Sequence, residues 1–281
     1  MNFKDFLTKF PDEESCQNFI KAKREADGIS CRKCGCKNHY WRKKTKVWQC
    51  KKCDYRTSLK VGTVMENSNL DIRTWMCAFF LSTHTKKSYS TCEMKRLLGM
   101  SRFETVWYLM HRIRQFMSHE NKKLFECGAF DHRPKLYMKI PVRRRIKKDD
   151  TPYIEVFINP ESKTSSLLRG SSDLMLMIAA SGDVLKEPEM DLKKKNRYPA
   201  IIKDRQRDYD FKIPEHEKSN YLPAWTLAMF QNLKAVLKGI HHLVDQKYIQ
   251  LYIDEFSYKY NSRMYDNPFE SFLNSVFRRF G

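Results

Sequence analysis

The sequence predicts an α+β protein of several domains, helical and stapled by a metal in its first half and mixed α/β in its second. Three observations predict it. Two C-x2-C pairs, Cys31 with Cys34 and Cys50 with Cys53, close a short segment poor in apolar residues. Apolar residues then recur at helical spacing through 70–117. Beyond about residue 122 the texture changes to short β-type runs at 124–130, 153–158, 174–180 and 200–202. The expected division is 1–60 for N-terminal helices and a zinc ribbon, 61–120 for a helix-turn-helix region, and 121–281 for the α/β part with C-terminal helices.

At the start, Phe3, Phe6, Leu7 and Phe10, then Cys16, Phe19 and Ile20, follow a helical period that Pro11 interrupts, so two short helices are expected. In the next segment each C-x2-C turn can offer two thiolates to one ion, and four thiolates complete the tetrahedron of a structural zinc. Protein fills every position, so no place remains for a reacting water, and the expected Zn2+ is structural. Cys36 follows Cys34 by two residues and is expected to be a spare. His39-Tyr40-Trp41 and Val47-Trp48-Gln49 read as the strands of the ribbon. So small a unit has too little core to stand alone, and metal is expected to hold residues 1–60 folded. Arg42, Lys43 and Lys44 lead a run of cations opposed within 31–56 by Asp54, with Tyr40, Trp41, Trp48 and Tyr55 interleaved. Such cations on a compact scaffold supply phosphate contacts.

Ser90-Thr-Cys-Glu93 and Ser101-Arg-Phe-Glu104 are both S-x-x-E capping boxes, each opening an amphipathic helix. The first helix is expected to stop at Gly99 and the second to start one short turn later, which is helix-turn-helix spacing. On the second, Phe103, Val106, Trp107, Met110, Ile113 and Met117 share a face and are expected to pack inward. Thr105, Tyr108 and Arg112 lie opposite, with Arg102 at the helix start, and such polar and cationic groups suit a reader of the major groove. A plain helical hairpin has the same spacing. Further on, the RRRIKK stretch at 143–148 reads as a solvated loop, and from Leu222 two helical patterns follow, separated near Gly239.

Composition bounds the function. A formal charge of +20 attracts polyanions, and nucleic acid is the commonest one a soluble chain meets. With 41% hydrophobic residues the chain can bury a core, which excludes a wholly disordered protein. No apolar run reaches the roughly 20 residues needed to span a bilayer, and the first residues lack the apolar core of a signal peptide. A cytoplasmic location is therefore expected, nucleoid-associated in a bacterium, where nine cysteines do not build a disulfide framework.

Several of these stretches together resemble a known group. The knuckles at 31–53, Ser58-Leu-Lys-Val-Gly-Thr-Val64, Trp75 with its helix, and Thr105-Val-Trp-Tyr-Leu-Met-His-Arg-Ile-Arg114 are similar to the zinc-ribbon insertion-sequence transposases of bacteria, related to the eukaryotic Merlin elements. Near the other end Trp225, Gln231-Asn-Leu-Lys234, Gly239-Ile-His-His242 and Tyr252-Ile-Asp-Glu-Phe256, with Asn261 and Arg263, extend the resemblance, which is patchy between about 130 and 220. It implies an RNase H-like second half in which two Asp and a third ligand (Glu or Asn) hold two Mg2+ ions about the scissile phosphate, with a Lys nearby. It also implies double-stranded DNA as partner, at the terminal inverted repeats of an element, and a homo-oligomer that brings two ends together.

The chain departs from that pattern at Gly128, which stands where the resemblance places the first metal-binding Asp. Glu126 would share a strand face with it but lies one pleat away, and Asp131 points to the opposite face. Ile201-Ile-Lys-Asp204, followed by Tyr209, resembles the motif of the second Asp, and equally resembles an earlier strand of the fold. Asn232 and Lys234 match the third ligand and the lysine, on a helix expected to bury Trp225, Met229, Leu233 and Val236. Asn232 as an ordinary surface amide remains the alternative. The expected function is a transposase-family protein that binds element ends, with its catalytic acids incomplete. The alternatives are a working DDE-type transposase and a zinc-ribbon adaptor for RNA or protein.

Overall fold

The computed structural model describes residues 1–126, 136–139, 153–158, 175–180, 211–212 and 224–278, apart from 243, 246, 247 and 264. The two expected N-terminal helices are α1 (Phe3–Lys9) and α2 (Glu13–Asp27). Each opens with a reciprocal cap. The Asn2 side chain accepts from the Asp5 amide while Asp5 accepts from Asn2, and Asp12 with Ser15 repeats the device after Pro11.

The ribbon is a three-stranded antiparallel sheet in the order β1 (His39–Arg42), β2 (Val47–Cys50), β3 (Arg56–Ser58). Trp41 stands opposite Trp48 in its register. The first two strands match the sequence expectation. The third, Arg-Thr-Ser, has neither alternation nor apolar residues to announce it, and it pairs because β2 is there to accept it.

Helices α3 (Ile72–His84), α4 (Thr91–Leu97) and α5 (Phe103–Glu126) follow. Gly99 takes φ 63 between the last two, the left-handed conformation that ends α4. One expectation fails here: residues 124–126, read as the start of a β run, are the last turn of α5. A short apolar stretch at a helix end carries no period of its own to separate it from a strand. The remaining β runs are found as β5 (Tyr153–Ile158) and β6 (Met175–Ala180), joined by β4 (Leu136–Lys139) and the short β7 (Phe211–Lys212) in an antiparallel sheet of order β6-β5-β4-β7. Residues 200–202 and 143–148 lie outside the described ones.

The C-terminal part contains α6 (Ala224–Ala235), continuing as a π-helical turn over Val236–Ile240, then α7 (Ile249–Ser262) and α8 (Pro268–Phe277). Two patterns were expected and α8 makes a third element. Asn267 caps it by accepting from the Glu270 amide, and Pro268 occupies its first turn.

The chain forms two compact units. The first comprises Met1–Thr85, Thr91–Phe116 and Asp266–Gly281, and the second Lys86–Ser90 and Met117–Tyr265. The first unit is built on an aromatic core. Phe6 stacks on Phe80 at 4.5 Å, Phe269 of α8 meets both edge-on, and Phe272 lies 5.2 Å from Phe79 and 5.1 Å from Phe116. Residues 266–278, expected with the α/β part, thus belong to the first unit. In the second unit α7 lies against β6 and buries an unusual number of polar groups. Glu255 pairs with Lys259 at 3.2 Å, Lys259 also donates to the carbonyl of Lys87, and Asn121 donates to the carbonyl of Asp254. Burial raises the Asp254 carboxyl above its usual range despite hydrogen bonds from Ser118, Gln250 and Asn121. These polar groups tie α7 to its neighbours within the second unit.

Candidate metal centre and nucleic-acid interface

The sulfurs of Cys31, Cys34, Cys50 and Cys53 all lie within 4.8 Å of one another. Cys31 and Cys53 approach to 3.5 Å and Cys34 and Cys50 to 3.6 Å, far beyond a disulfide bond length. Four sulfurs each about 2.3 Å from a tetrahedral zinc stand about 3.8 Å apart, so the donor set and its spacing fit that ion. Among the described residues this is the one cluster of three or more such ligands. Cys36 stays out of it, with its sulfur accepting from the Asn38 amide at 3.4 Å, as its reading as a spare expects.

The thiols do not titrate alike. Burial opposes the charged form of Cys50, yet amide donors from Lys52 and Cys53 and the neighbouring thiols draw it down to about 6. At Cys34 the amide of Cys36 favours the thiolate, but burial and three surrounding sulfurs push it up to about 12. Four sulfurs this close cannot all hold a negative charge without a cation among them. A dication removes that conflict, and Arg32, Lys33, Lys51 and Lys52 on the two knuckles offset the charge that remains.

The ribbon leans on α2. Trp48, buried in the sheet, donates from its indole to Glu25 at 3.1 Å, and the Arg24 guanidinium lies 4.9 Å from its ring centroid. The Trp41 ring lies tilted against that of Trp48, with centroids 4.7 Å apart. Packing of this kind leaves the β1–β2 loop projecting, with Lys46 at φ 53 closing the turn and Lys43 and Lys44 exposed at its tip. Arg42, the third cation expected there, is half-buried and bonded to Gln49 at 2.9 Å.

On α5 the inward stripe contains Val106, Met110, Ile113 and Met117 as expected, together with Leu109 and Phe116. Phe103 departs from expectation at 42% exposed, because the first helical residue has nothing over it. Trp107 is half-buried and lies flat on His111, with centroids 4.8 Å apart. Burial and the charge of Arg114 hold the His111 imidazole below its usual pKa. Of the residues expected to read DNA, Arg102 is exposed, Tyr108 is 62% exposed and Thr105 is half-buried. Arg112 is half-buried. It donates to the Glu66 carbonyl at 2.6 Å and lies 5.8 Å from the Trp75 ring centroid.

The residues expected to hold catalytic metal are less completely placed. Asn232 and Lys234 are exposed on α6, while Leu233 and Val236 are buried as expected. Gly128, Asp131 and Asp204 lie outside the described residues. Glu126 ends helix α5, so it does not share a strand with Gly128 as the sequence reading supposed. Among the described residues no helix is long and apolar enough to cross a membrane.

Two family models match the chain. Residues 11–56 match the transposase zinc-ribbon domain, a stretch that takes in α2 as well as β1 and β2, and residues 203–261 match the ISXO2-like transposase domain. Neither a curated protein nor a solved structure matches it. The second match runs from just before Asp204 through Asn232 and Lys234 to Asn261. A zinc-ribbon domain of transposases followed by a transposase domain of the ISXO2-like kind supports placing the chain with the insertion-sequence transposases of that family.

Proposed function

We propose that this protein binds double-stranded DNA at the ends of an insertion sequence and does not itself cut it. The observation that carries the binding half is the first unit, which gathers a cationic ribbon tip and the exposed side of α5 into one compact body on a chain of charge +20. Lys43, Lys44 and Arg42 supply phosphate contacts, and Arg102, Thr105 and Tyr108 form the base-reading side of α5, with Arg112 held inward by Glu66. Replacing Lys43 and Lys44 together with Ala is expected to weaken binding to all duplexes alike and to reduce the slope of log affinity against log salt by about 1.8. Fluorescence anisotropy across a salt series measures it, and an unchanged slope would remove the tip from the interface.

The non-cutting half rests on Gly128. Two-metal strand transfer needs carboxylates on both ions, and glycine has no side-chain oxygen to give. One observation favours an active enzyme of RNase H-like fold: the ISXO2-like match spans Asp204, Asn232 and Lys234. In that reading Asp204 and Asn232 hold Mg2+, Lys234 stands beside them, and the protein works as a homo-oligomer on paired ends. The deciding experiment incubates labelled element-end DNA with Mg2+ or Mn2+ and follows nicking and joining beside binding. Binding without nicking is the expected result, whereas nicking that disappears on Asp204→Ala would establish the active reading.

A further inference from the structure

The segment between β3 and α3 is cinched down along its length. Buried Arg24 of α2 donates to the carbonyls of Ser58 and Leu59 at 2.7 and 2.9 Å. The Lys60 ammonium bonds the carbonyls of Ser68, at 2.9 Å, and Leu70, while Leu59 and Met65 are buried beneath. Glu66 sits where this strap meets both of its neighbours. Its carboxylate accepts from Arg32 at 2.9 and 3.4 Å and from the Gly62 amide at 2.7 Å. Its own carbonyl accepts from Arg112 at 2.6 Å. Arg32 adjoins the zinc ligand Cys31, and Arg112 stands one helical turn after Tyr108 on α5. A single residue therefore bridges the first knuckle and the helix.

We propose that Glu66 is a positioning residue that clasps the zinc knuckle to helix α5, so that metal at the knuckles fixes where that helix stands. α5 carries no zinc ligand, and the clasp makes its placement depend on zinc nonetheless. The consequence for DNA rests on the binding function proposed above: ribbon tip and helix then meet the duplex at one fixed spacing. The Arg32 and Glu66 side chains are 47% and 30% exposed, and pairs so open to water contribute little to overall stability. Placement, not stability, is what the clasp supplies.

Hydrogen exchange of the full zinc-loaded chain tests this, comparing wild type, Glu66→Ala and Glu66→Gln with zinc content measured in each. Glu66→Ala is expected to speed exchange in 59–70 and 103–116 roughly three- to tenfold at full zinc content, and chelation of the wild type to do the same. Glu66→Gln should fall between, since its amide oxygen still accepts from Gly62. Binding to a mixed-sequence DNA duplex gives a second readout of opposite sign to simple electrostatics. Removing a carboxylate should tighten binding on charge alone, whereas a lost clasp weakens it roughly three- to tenfold. Unchanged exchange in zinc-loaded Glu66→Ala, with duplex affinity equal to or tighter than wild type, overturns the clasp. A wild-type chain that binds no duplex defeats the DNA function instead, and the exchange alone then decides the clasp.

Discussion

Chelating the zinc is expected to dissolve the ribbon and leave the helices of the first unit standing. The three strands are four, four and three residues long, and sheets so short are marginal in water without a core. The buried apolar residues of 31–58 are Trp48, Cys31 and Cys50, and two of those three belong to the four-cysteine cluster. Structural zinc in comparable units contributes on the order of 10–16 kcal/mol near neutral pH, more than the whole stability of an average domain. Losing it removes the reason for 31–58 to fold. Helices α1 and α2 behave otherwise, because Phe6, Phe10, Cys16 and Ile20 are buried in a core that contains no ligand. Unfolding therefore stops short of the whole of 1–60, with only the end of α2 fraying as Arg24 loses Trp48 and Glu25 loses its indole donor. Limited trypsin digestion should open cleavage at the Lys and Arg residues of 32–56 while far-ultraviolet circular dichroism keeps most of its helical signal. Unchanged resistance of 31–53 after complete metal removal would show that the ribbon stands without zinc. Acid should act in the same direction, because the ligands are thiolates and protons compete with the metal for them.

What the sequence disclosed and what it withheld follow from the range of the interactions involved. The knuckles, the break at Pro11 and the turn at Gly99 depend on residues a few positions apart, and each was legible. The inward stripe of α5 was legible for the same reason, since its period is local. Arg112 shows the limit. Its spacing places it opposite the buried stripe and among the DNA readers, but its partners are Glu66 and Trp75, dozens of residues away. Nothing in the helix itself could announce them. Strand β3 was missed because a three-residue edge strand is made by its neighbour, and α8 because its companions, Phe6, Phe79, Phe80 and Phe116, come from the other end of the chain. Asn267-Pro268-Phe269-Glu270 was the available signal for α8, an Asn cap followed by Pro and an acidic first turn.

Phe272→Ala should therefore damage the first unit, although the residue lies beyond the transposase-domain match. Its ring is fully buried and wedged between Phe79 of α3 and Phe116 of α5. Truncating such a ring leaves a cavity that its neighbours close only in part, at a cost of about 3–5 kcal/mol. Against a typical domain stability of about 5–15 kcal/mol that is about a fifth of the total or more. Urea denaturation of the full chain measures it through Trp75, whose ring lies 5.5 Å from Phe79 and so senses loosening of this cluster. Phe103→Ala serves as the control, since an exposed ring at the start of α5 should cost under about 0.5 kcal/mol. Equal effects of the two changes would mean that α8 does not seal this core. The same packing forbids the obvious dissection of the protein. A fragment ending at residue 120 keeps every candidate DNA contact of the first unit but loses Phe269, Phe272, Leu273, Val276 and Phe277, all buried. It exposes Phe6, Phe79, Phe80 and Phe116 together, an apolar patch of the kind that drives aggregation. If a soluble fragment of that length binds DNA as tightly as the full chain, α8 is dispensable. If it precipitates while the full chain does not, the first unit needs both ends of the sequence to fold.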